Sequence, residues 1–526
     1  MPKNIILCSD GTGNTALKGR GTNVFKLYEA LDLNGHRDDP TLTEQIAFYD
    51  DGVGTQTLKP VRLLCGAIGW GLARNVRQLY AALCRCYEPD DRIYLFGFSR
   101  GAFTVRALAG LIADSGVIDR MRWHTTAELD ALTRKVYRTH RRHYRNLTKT
   151  ITKHVGLLDR YRDRFPELYV DEGTATPPQI HFMGVWDTVD AVGLPVEELS
   201  WLLNTFIYPF KFPDYQLSEK VRKACHALAI DDERRTFHPL LWDESVERDG
   251  RIEQVWFAGA HSNVGGGYEK HGMSLVALDW MMSKAEESGL RFIAPVRDVY
   301  GMLRNATDQL YDSRRGLGFY YRYQPRPIQK LCARNATRPT IHVSVLQRLL
   351  LSGQPYTPGN LPDDFDLVGT LTRDGAPREG EGPEALRARA QALGRSIHAG
   401  KPLLAGARKW IHLRIGTHYA CLSFTLLLFV TLLRFRLADP AAAEATTWVR
   451  MLLPAGIAQA VEMLIFQARQ HLFLSSLLPA LLLAYLLGSV ARSRIDSIHG
   501  EFWSRVTREL RPAARDTKRM STARTP

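Results

Sequence analysis

Five residues, Gly97-Phe98-Ser99-Arg100-Gly101, set a serine between two glycines where an apolar run meets an alanine-rich stretch. A serine hydroxyl is a weak nucleophile until the backbone exposes it and a base takes its proton. The G-x-S-x-G spacing supplies the exposure, because the serine then sits on a sharp strand-to-helix turn. Small residues on either side let neighbouring backbone pass close. The helix that follows points its positive N-terminal end at the charge developing on an attacked carbonyl. The five-letter pattern alone arises by chance. Here Arg92 to Phe98 reads as a strand before it, and Ala102 to Ala113 reads as a helix behind it. The chemistry this predicts is acyl transfer through Ser99.

That chemistry needs a base and an acid to orient it. Asp187 follows the run Ile180 to Trp186, and His261 follows the run Ile252 to Ala258, so both stand just past strand-like segments. Asp231 and Asp232 are rival acids, and His226, His238 and His271 are rival bases. The plainer alternatives are a turn or helix-cap role for Asp187 and a structural histidine at His261. An oxyanion hole needs two N–H groups aimed at one point. Arg100 N–H is the first candidate. The turn Asp10-Gly11-Thr12-Gly13 offers Gly11 or Thr12 for the second, with Asp10 near the site. No G-K-[ST] follows these glycines, which excludes a nucleotide-binding loop. Nothing in the pattern calls for a metal or an organic cofactor.

The elements that must position these residues read as alternating strands and helices. Strand-length apolar runs occur at Asn4 to Ser9, Gln45 to Tyr49, Arg92 to Phe98, Ile180 to Trp186 and Ile252 to Ala258. Each ends in a polar or glycine-containing turn. Trp70 to Cys84 carries apolar residues at helical spacing. Such alternation predicts an α/β fold, a mainly parallel sheet flanked by helices, with active groups at the carboxyl ends of the strands. The order nucleophile, acid, histidine is that of the α/β-hydrolases. A basic stretch within about 121–170 reads as a helical insertion. It is either a solvated helix face or a cap that meets anionic substrate or membrane. The catalytic domain is expected to span 1–345.

Beyond it, 346–410 reads as a linker and basic juxtamembrane segment, and 411–494 as a membrane hairpin. Gly416 to Leu433 and Leu472 to Ala491 are apolar and approach the ~20 residues that cross a bilayer. A buried core helix is the alternative for the first. Met451 to Phe466 reads as a surface-lying amphipathic stretch, and 495–526 as a basic tail. Arginine and lysine are frequent before the first span and dense after the second, so both termini are expected on the cytoplasmic side. The formal net charge of +14 is assigned mainly to these membrane-flanking blocks, not to nucleic acid. The 45% hydrophobic and 24% charged residues exclude a largely disordered chain. Seven scattered cysteines with no C-x-x-C pair give neither a zinc signature nor a disulfide framework.

The stretches NIILCSDGTGN, FYDDGVGTQ, GAIGWGLARNVRQLY, LFGFSRGAFTVRALAGLI, MGVWDTVDAVG, HALAIDDERRTFHPLLW and WFAGAHSNVGGGY occur in that order. Together they resemble the catalytic domain of the type VI secretion phospholipase effectors of the first class, formerly a bacterial domain of unknown function. The resemblance covers about residues 3 to 330. It implies an α/β-hydrolase fold and a triad of Ser99, Asp187 and His261 acting on phospholipid esters. The family usually has aspartate where this chain has Asn263, and its secreted members carry membrane-interaction modules that a terminal hairpin here replaces. The expectation is a membrane-associated serine hydrolase of lipid acyl esters, with an immunity protein as partner only were the chain a toxin. Two alternatives stay open: an anchored esterase or thioesterase on a soluble substrate, and a non-catalytic membrane interaction protein that keeps the fold.

Overall fold

The strand β1 (Asn4–Ser9) lies between β2 (Gln45–Asp50) and β3 (Arg92–Phe98), and all three run parallel. The computed structural model describes residues 2–11, 21–51, 71–147, 168–169, 178–190, 215–247, 249–353, 355–369, 383–438 and 472–522. Beyond β3 the sheet continues through β4 (Ile180–Trp186), β5 (Ala224–Ala229), β6 (Ile252–Phe257), β7 (Thr340–His342) and β8 (Asp366–Val368). The strand order is β8-β7-β6-β5-β4-β3-β1-β2, parallel throughout. The expected parallel α/β sheet is therefore present, with eight strands among the described residues.

Both faces of the sheet are covered, which is why its strands read as near-continuous apolar runs. Side chains alternate with period two. Ile5, Leu7, Ile93 and Leu95 enter one core with α2 (Leu72–Cys86) and α3 (Arg100–Ser115). Ile6, Cys8, Tyr94, Phe96 and Phe98 enter the other, with α1 (Asn23–Ala30) and α6 (Gly272–Glu287). Between these helices in sequence lie α4 (Thr126–Leu147) and the short α5 (His261–Gly265). Within α4, Leu129, Val136 and Tyr137 are buried in the first core, while Arg134, Lys135 and Arg138 face solvent. That stretch of the basic insertion is a solvated helix face; residues 148–167 lie outside the described ones.

Three strands escape the sequence pattern. β5 is Ala-Cys-His-Ala-Leu-Ala, poor in β-branched residues, and its central place in the sheet rather than its propensity makes it a strand. β7 and β8 are three residues each, too short to show a period.

The expected linker at 346–410 needs correction. It holds β8, most of α7 (Ser344–Leu351) and α8 (Pro383–Ala405). Leu346, Leu349, Phe365, Leu367, Leu393 and Ile397 are buried in a third core with Trp256 and Ile341 of the sheet. The polar composition misleads because only one face of each short element is apolar. Phe502, Trp503 and Val506, placed in a tail by composition, are buried in that same core.

Two last helices, α9 (Arg408–Ala438) and α10 (Leu472–Thr522), are long and apolar enough to cross a bilayer. They pack antiparallel. Gly488 lies against Thr417, where a Cβ would stand 3.0 Å from the hydroxyl, and the Arg494 guanidinium lies 5.9 Å from the Trp410 ring. Small residues at such seams let helices approach. Leu426, Phe429, Leu482 and Leu486 stay more than half exposed, which a water-facing helix would not favour. The Met451 to Phe466 stretch lies outside the described residues.

Candidate active site

Ser99 ends β3 and begins α3 with φ 59° and ψ −119°, a left-handed conformation that side chains other than glycine rarely adopt. The strain persists because the surroundings hold it. Ser99 N–H donates to Trp186 O at 3.0 Å, extending the ladder between β3 and β4 past its end. At Gly101 a Cβ would stand 2.1 Å from Ser9 O and 2.6 Å from Asp10 O. At Gly97 it would stand 2.6 Å from Gly101 O. Both glycines are therefore required by close backbone approach, as the G-x-S-x-G pattern predicts.

Asp187 follows β4 and is fully buried. Its Oδ2 lies 2.5 Å from His261 Nδ1, and the His261 Nε2 lies 2.7 Å from Ser99 Oγ. The structure thus brings the three residues named from sequence into one hydrogen-bonded line. The positions follow from the topology: β3, β4 and β6 end on the same side of a parallel sheet, and β5 lies between the last two. β5 contributes Ala229 N–H, which donates to Asp187 Oδ1 at 2.9 Å. His261 opens α5, and its backbone N–H donates to Asp232 Oδ2 at 3.2 Å. Phe98 and Phe237 pack on the imidazole with ring centroids 4.7 and 5.2 Å away.

Sequence reasoning misses Arg326. Fully buried, it clamps Asp187 with Nη1 donating to Oδ1 at 2.6 Å and Nη2 donating to Oδ2 at 2.7 Å. The same two nitrogens donate to Ala229 O and Phe237 O. A lone arginine 139 residues from its partner has no motif to betray it. The electrostatic consequence is direct. Burial alone would push the Asp187 carboxyl up, but the charge and hydrogen bonds of Arg326, then those of His261, hold it well below the usual range. Burial pushes the His261 imidazole below 6.5, and the Asp187 contact only partly opposes this. The resting line is therefore an ionised carboxylate, a neutral imidazole and a hydroxyl, the state in which Nε2 accepts a proton.

The other candidates have different places. Asp231 accepts from Gly259 N–H and the Tyr356 hydroxyl, bracing the turn before His261. Asp232 pairs with Arg234; burial raises its carboxyl, and Arg234 more than reverses this, to about 2. His226 Nε2 accepts from Thr188 N–H, and burial lowers its ring to about 3. His238 bonds Arg235 and Gln324 O, and His271 caps α6, so neither enters the line. Asn263 accepts from Tyr311 N–H and donates to Gln309 O at 3.0 Å, a donation an aspartate could not make.

Around the prospective oxyanion, Arg100 N–H lies in the first turn of α3, where no helical acceptor exists. The expectation for Gly11 needs correction: its N–H donates to Asp10 Oδ1 at 2.5 Å and is already engaged. Asp10 also accepts from Thr22 and Tyr49 hydroxyls at 2.6 and 2.5 Å, so its carboxylate ties β1, β2 and α1 together behind the elbow. Thr12 lies outside the described residues. Among the described residues no cluster of side chains is arranged to hold a metal.

Known proteins share parts of this chain. A budding-yeast protein, the uncharacterized protein YEL023C of Saccharomyces cerevisiae, is 29% identical over 254 residues, which is 46% of this chain and 33% of that one. The chain thus spans about a third of that relative's length. Three solved structures match part of it. An uncharacterized protein from Pseudomonas aeruginosa matches at TM-score 0.31 and 19% identity, over 56% of this chain and 47% of its own. The Tle1 effector bound to the VgrG spike of the type VI secretion system matches at 0.28 and 16%, over 51% of each. The carboxylesterase Cest-2923 from Lactobacillus plantarum matches at 0.25 and 13%, over 55% and 87%. The family model described as the catalytic domain of Tle1-like type VI secretion phospholipase effectors matches residues 3–284, more than half the chain and the whole sheet from β1 to β6, and the chain belongs to that family.

Proposed function

We propose that the chain is a membrane-associated serine hydrolase that cleaves lipid acyl esters through Ser99, His261 and Asp187. The observation that carries this is the continuous line from Ser99 Oγ through His261 to Asp187, with contacts of 2.7 and 2.5 Å. His261 Nε2 takes the Ser99 proton as Oγ bonds to the acyl carbon. The carbonyl electron pair moves to oxygen, and the Arg100 N–H and the N-terminus of α3 stabilise that charge. Asp187 holds the imidazole by Nδ1 and stabilises its cation. Collapse of the intermediate breaks the ester bond, and the departing alcohol takes the proton from Nε2. Water, deprotonated by the same nitrogen, then releases the carboxylate and restores Ser99.

The family relation favours a phospholipid as the ester. The exposed apolar faces of α9 and α10 favour a membrane-held enzyme over one released into water. Arginine density around the two helices favours both termini on the cytoplasmic side. Ser99→Ala should abolish hydrolysis in a panel of phospholipids and short acyl esters, and should abolish labelling by a fluorophosphonate probe. A folded Ser99→Ala chain that hydrolyses at the wild-type rate would remove the nucleophile assignment. Hydrolysis confined to short soluble esters would point to the anchored-esterase alternative.

A further inference from the structure

One short segment, Asp312–Tyr323, touches both the wall of the Ser99 site and the terminal hairpin. On the site side, Tyr321 packs edge-on against Phe237 with ring centroids 5.4 Å apart, and Phe237 packs edge-on against the His261 imidazole. The Arg234 guanidinium lies over the Phe237 ring at 3.4 Å and completes that wall. On the hairpin side, Phe319 packs against Tyr485 of α10 at 5.4 Å, and the Tyr320 hydroxyl reaches Thr425 of α9 at 3.4 Å. Charge pins both ends of the segment to the base of the hairpin. Arg492 bonds Asp312 at 2.5 Å. Arg414 lies over the Tyr323 ring at 3.7 Å and 3.4 Å from Glu233.

These contacts lie at different depths. Tyr485 is seven residues from Arg492, so it stands roughly 10 Å further along α10. Thr425 stands roughly 16 Å beyond Arg414 along α9 by the same rise. Arginines at the ends of membrane helices keep to the polar boundary. Past them the hairpin is apolar and exposed, at Leu426, Phe429, Leu482 and Leu486. The Phe319–Tyr320 tip therefore reaches the acyl-chain level of a bilayer around the hairpin, while its neighbour Tyr321 touches the wall of the catalytic site. Two aromatic rings, Tyr321 and Phe237, separate that level from His261.

We propose that Asp312–Tyr323 is a lipid-access strap that holds the mouth of the Ser99 site against the bilayer, so that the ester is drawn laterally from the leaflet in which the hairpin stands. This rests on the hydrolase reading above. Exposing an acyl chain to water costs free energy in proportion to its apolar area. A mouth opening only to water would impose that cost on every turnover. The aromatic strap keeps the chain in apolar contact on its way to Ser99.

The test uses the full chain in phosphatidylcholine vesicles with two substrates, the vesicle lipid and water-soluble p-nitrophenyl butyrate. In the double variant Phe319→Ser, Tyr320→Ser, the ratio of lipid to butyrate turnover should fall roughly tenfold or more. An unchanged ratio overturns the strap, whether both rates hold or both fall together. A second measurement is independent of catalysis. The Phe319→Trp chain, read as difference emission against the wild type, should be quenched by phosphatidylcholine brominated on its acyl chains. Unquenched emission of a water-exposed indole overturns the placement. A wild-type chain that leaves both the vesicle lipid and butyrate intact sinks the hydrolase reading, and the quenching still decides where the strap lies.

Discussion

Replacing Arg326 with methionine tests whether the buried clamp, and not the three-residue line alone, sets the reactivity of the site. The methionine fills similar volume but removes both donors from Asp187 and those to Ala229 O and Phe237 O. Asp187 keeps Ala229 N–H and His261 as described partners. Losing one member of a buried ion pair costs about 3–5 kcal/mol, a large share of the ~5–15 kcal/mol that holds a domain folded. The functional effect has a definite sign. Removing a positive charge in contact with Asp187 makes the Asp187–His261 pair bind a proton more readily. Turnover needs that pair unprotonated. In the wild type both groups are shifted downward, so the acid limb of kcat/KM should lie below pH 6.5. In Arg326→Met it should move up, and kcat should fall about 10²-fold as Asp187 loses the clamp that positions it against His261. Stability follows the same logic. A carboxyl held below its ordinary 3.8 stabilises the fold above that pH and ceases to as pH falls through its folded value, so the melting difference between wild type and variant should narrow below about pH 4. The assay is a pH–rate profile on p-nitrophenyl butyrate, with thermal melts at each pH. Arg326→Lys, which keeps the charge with fewer donors, should fall between the two. A folded Arg326→Met chain with an unmoved acid limb and near-wild-type kcat would refute the reasoning.

Two further changes probe the scaffold. Gly101→Ala puts a Cβ 2.1 Å from Ser9 O, so the first turn of α3 must shift and carry the Arg100 N–H with it; kcat should drop by about 10²–10³, the cost of a lost oxyanion donor, while circular dichroism stays helical. An unchanged kcat would mean the elbow tolerates the shift. Trp503→Ala removes a buried ring whose Nε1 donates to Pro358 O at 2.7 Å, and should cost about 3–5 kcal/mol in denaturant melts of the catalytic domain. A loss under ~0.5 kcal/mol would return Trp503 to a detached tail.

The sequence by itself determined the elbow and the three residues now aligned at it. Ser99, Asp187 and His261 each end a strand-length apolar run, and a parallel sheet must bring such ends to one side. Local signals sufficed there because the turn at Ser99 needs glycines at fixed offsets. It also determined the two long apolar helices, since length and hydropathy are properties of a segment. Tertiary structure alone decided the rest. Arg326 reaches Asp187 only because the chain returns across the ends of β4 and β5, and no spacing encodes that return. The Ala-rich β5 is a strand because neighbours on both sides hold it there. Phe502 and Trp503 join the domain because α10 runs back from the apolar hairpin onto the sheet, a packing choice that a basic composition conceals. Gly11, placed by pattern at the oxyanion, gives its N–H to Asp10, because the nearest acceptor wins when a buried donor must be satisfied.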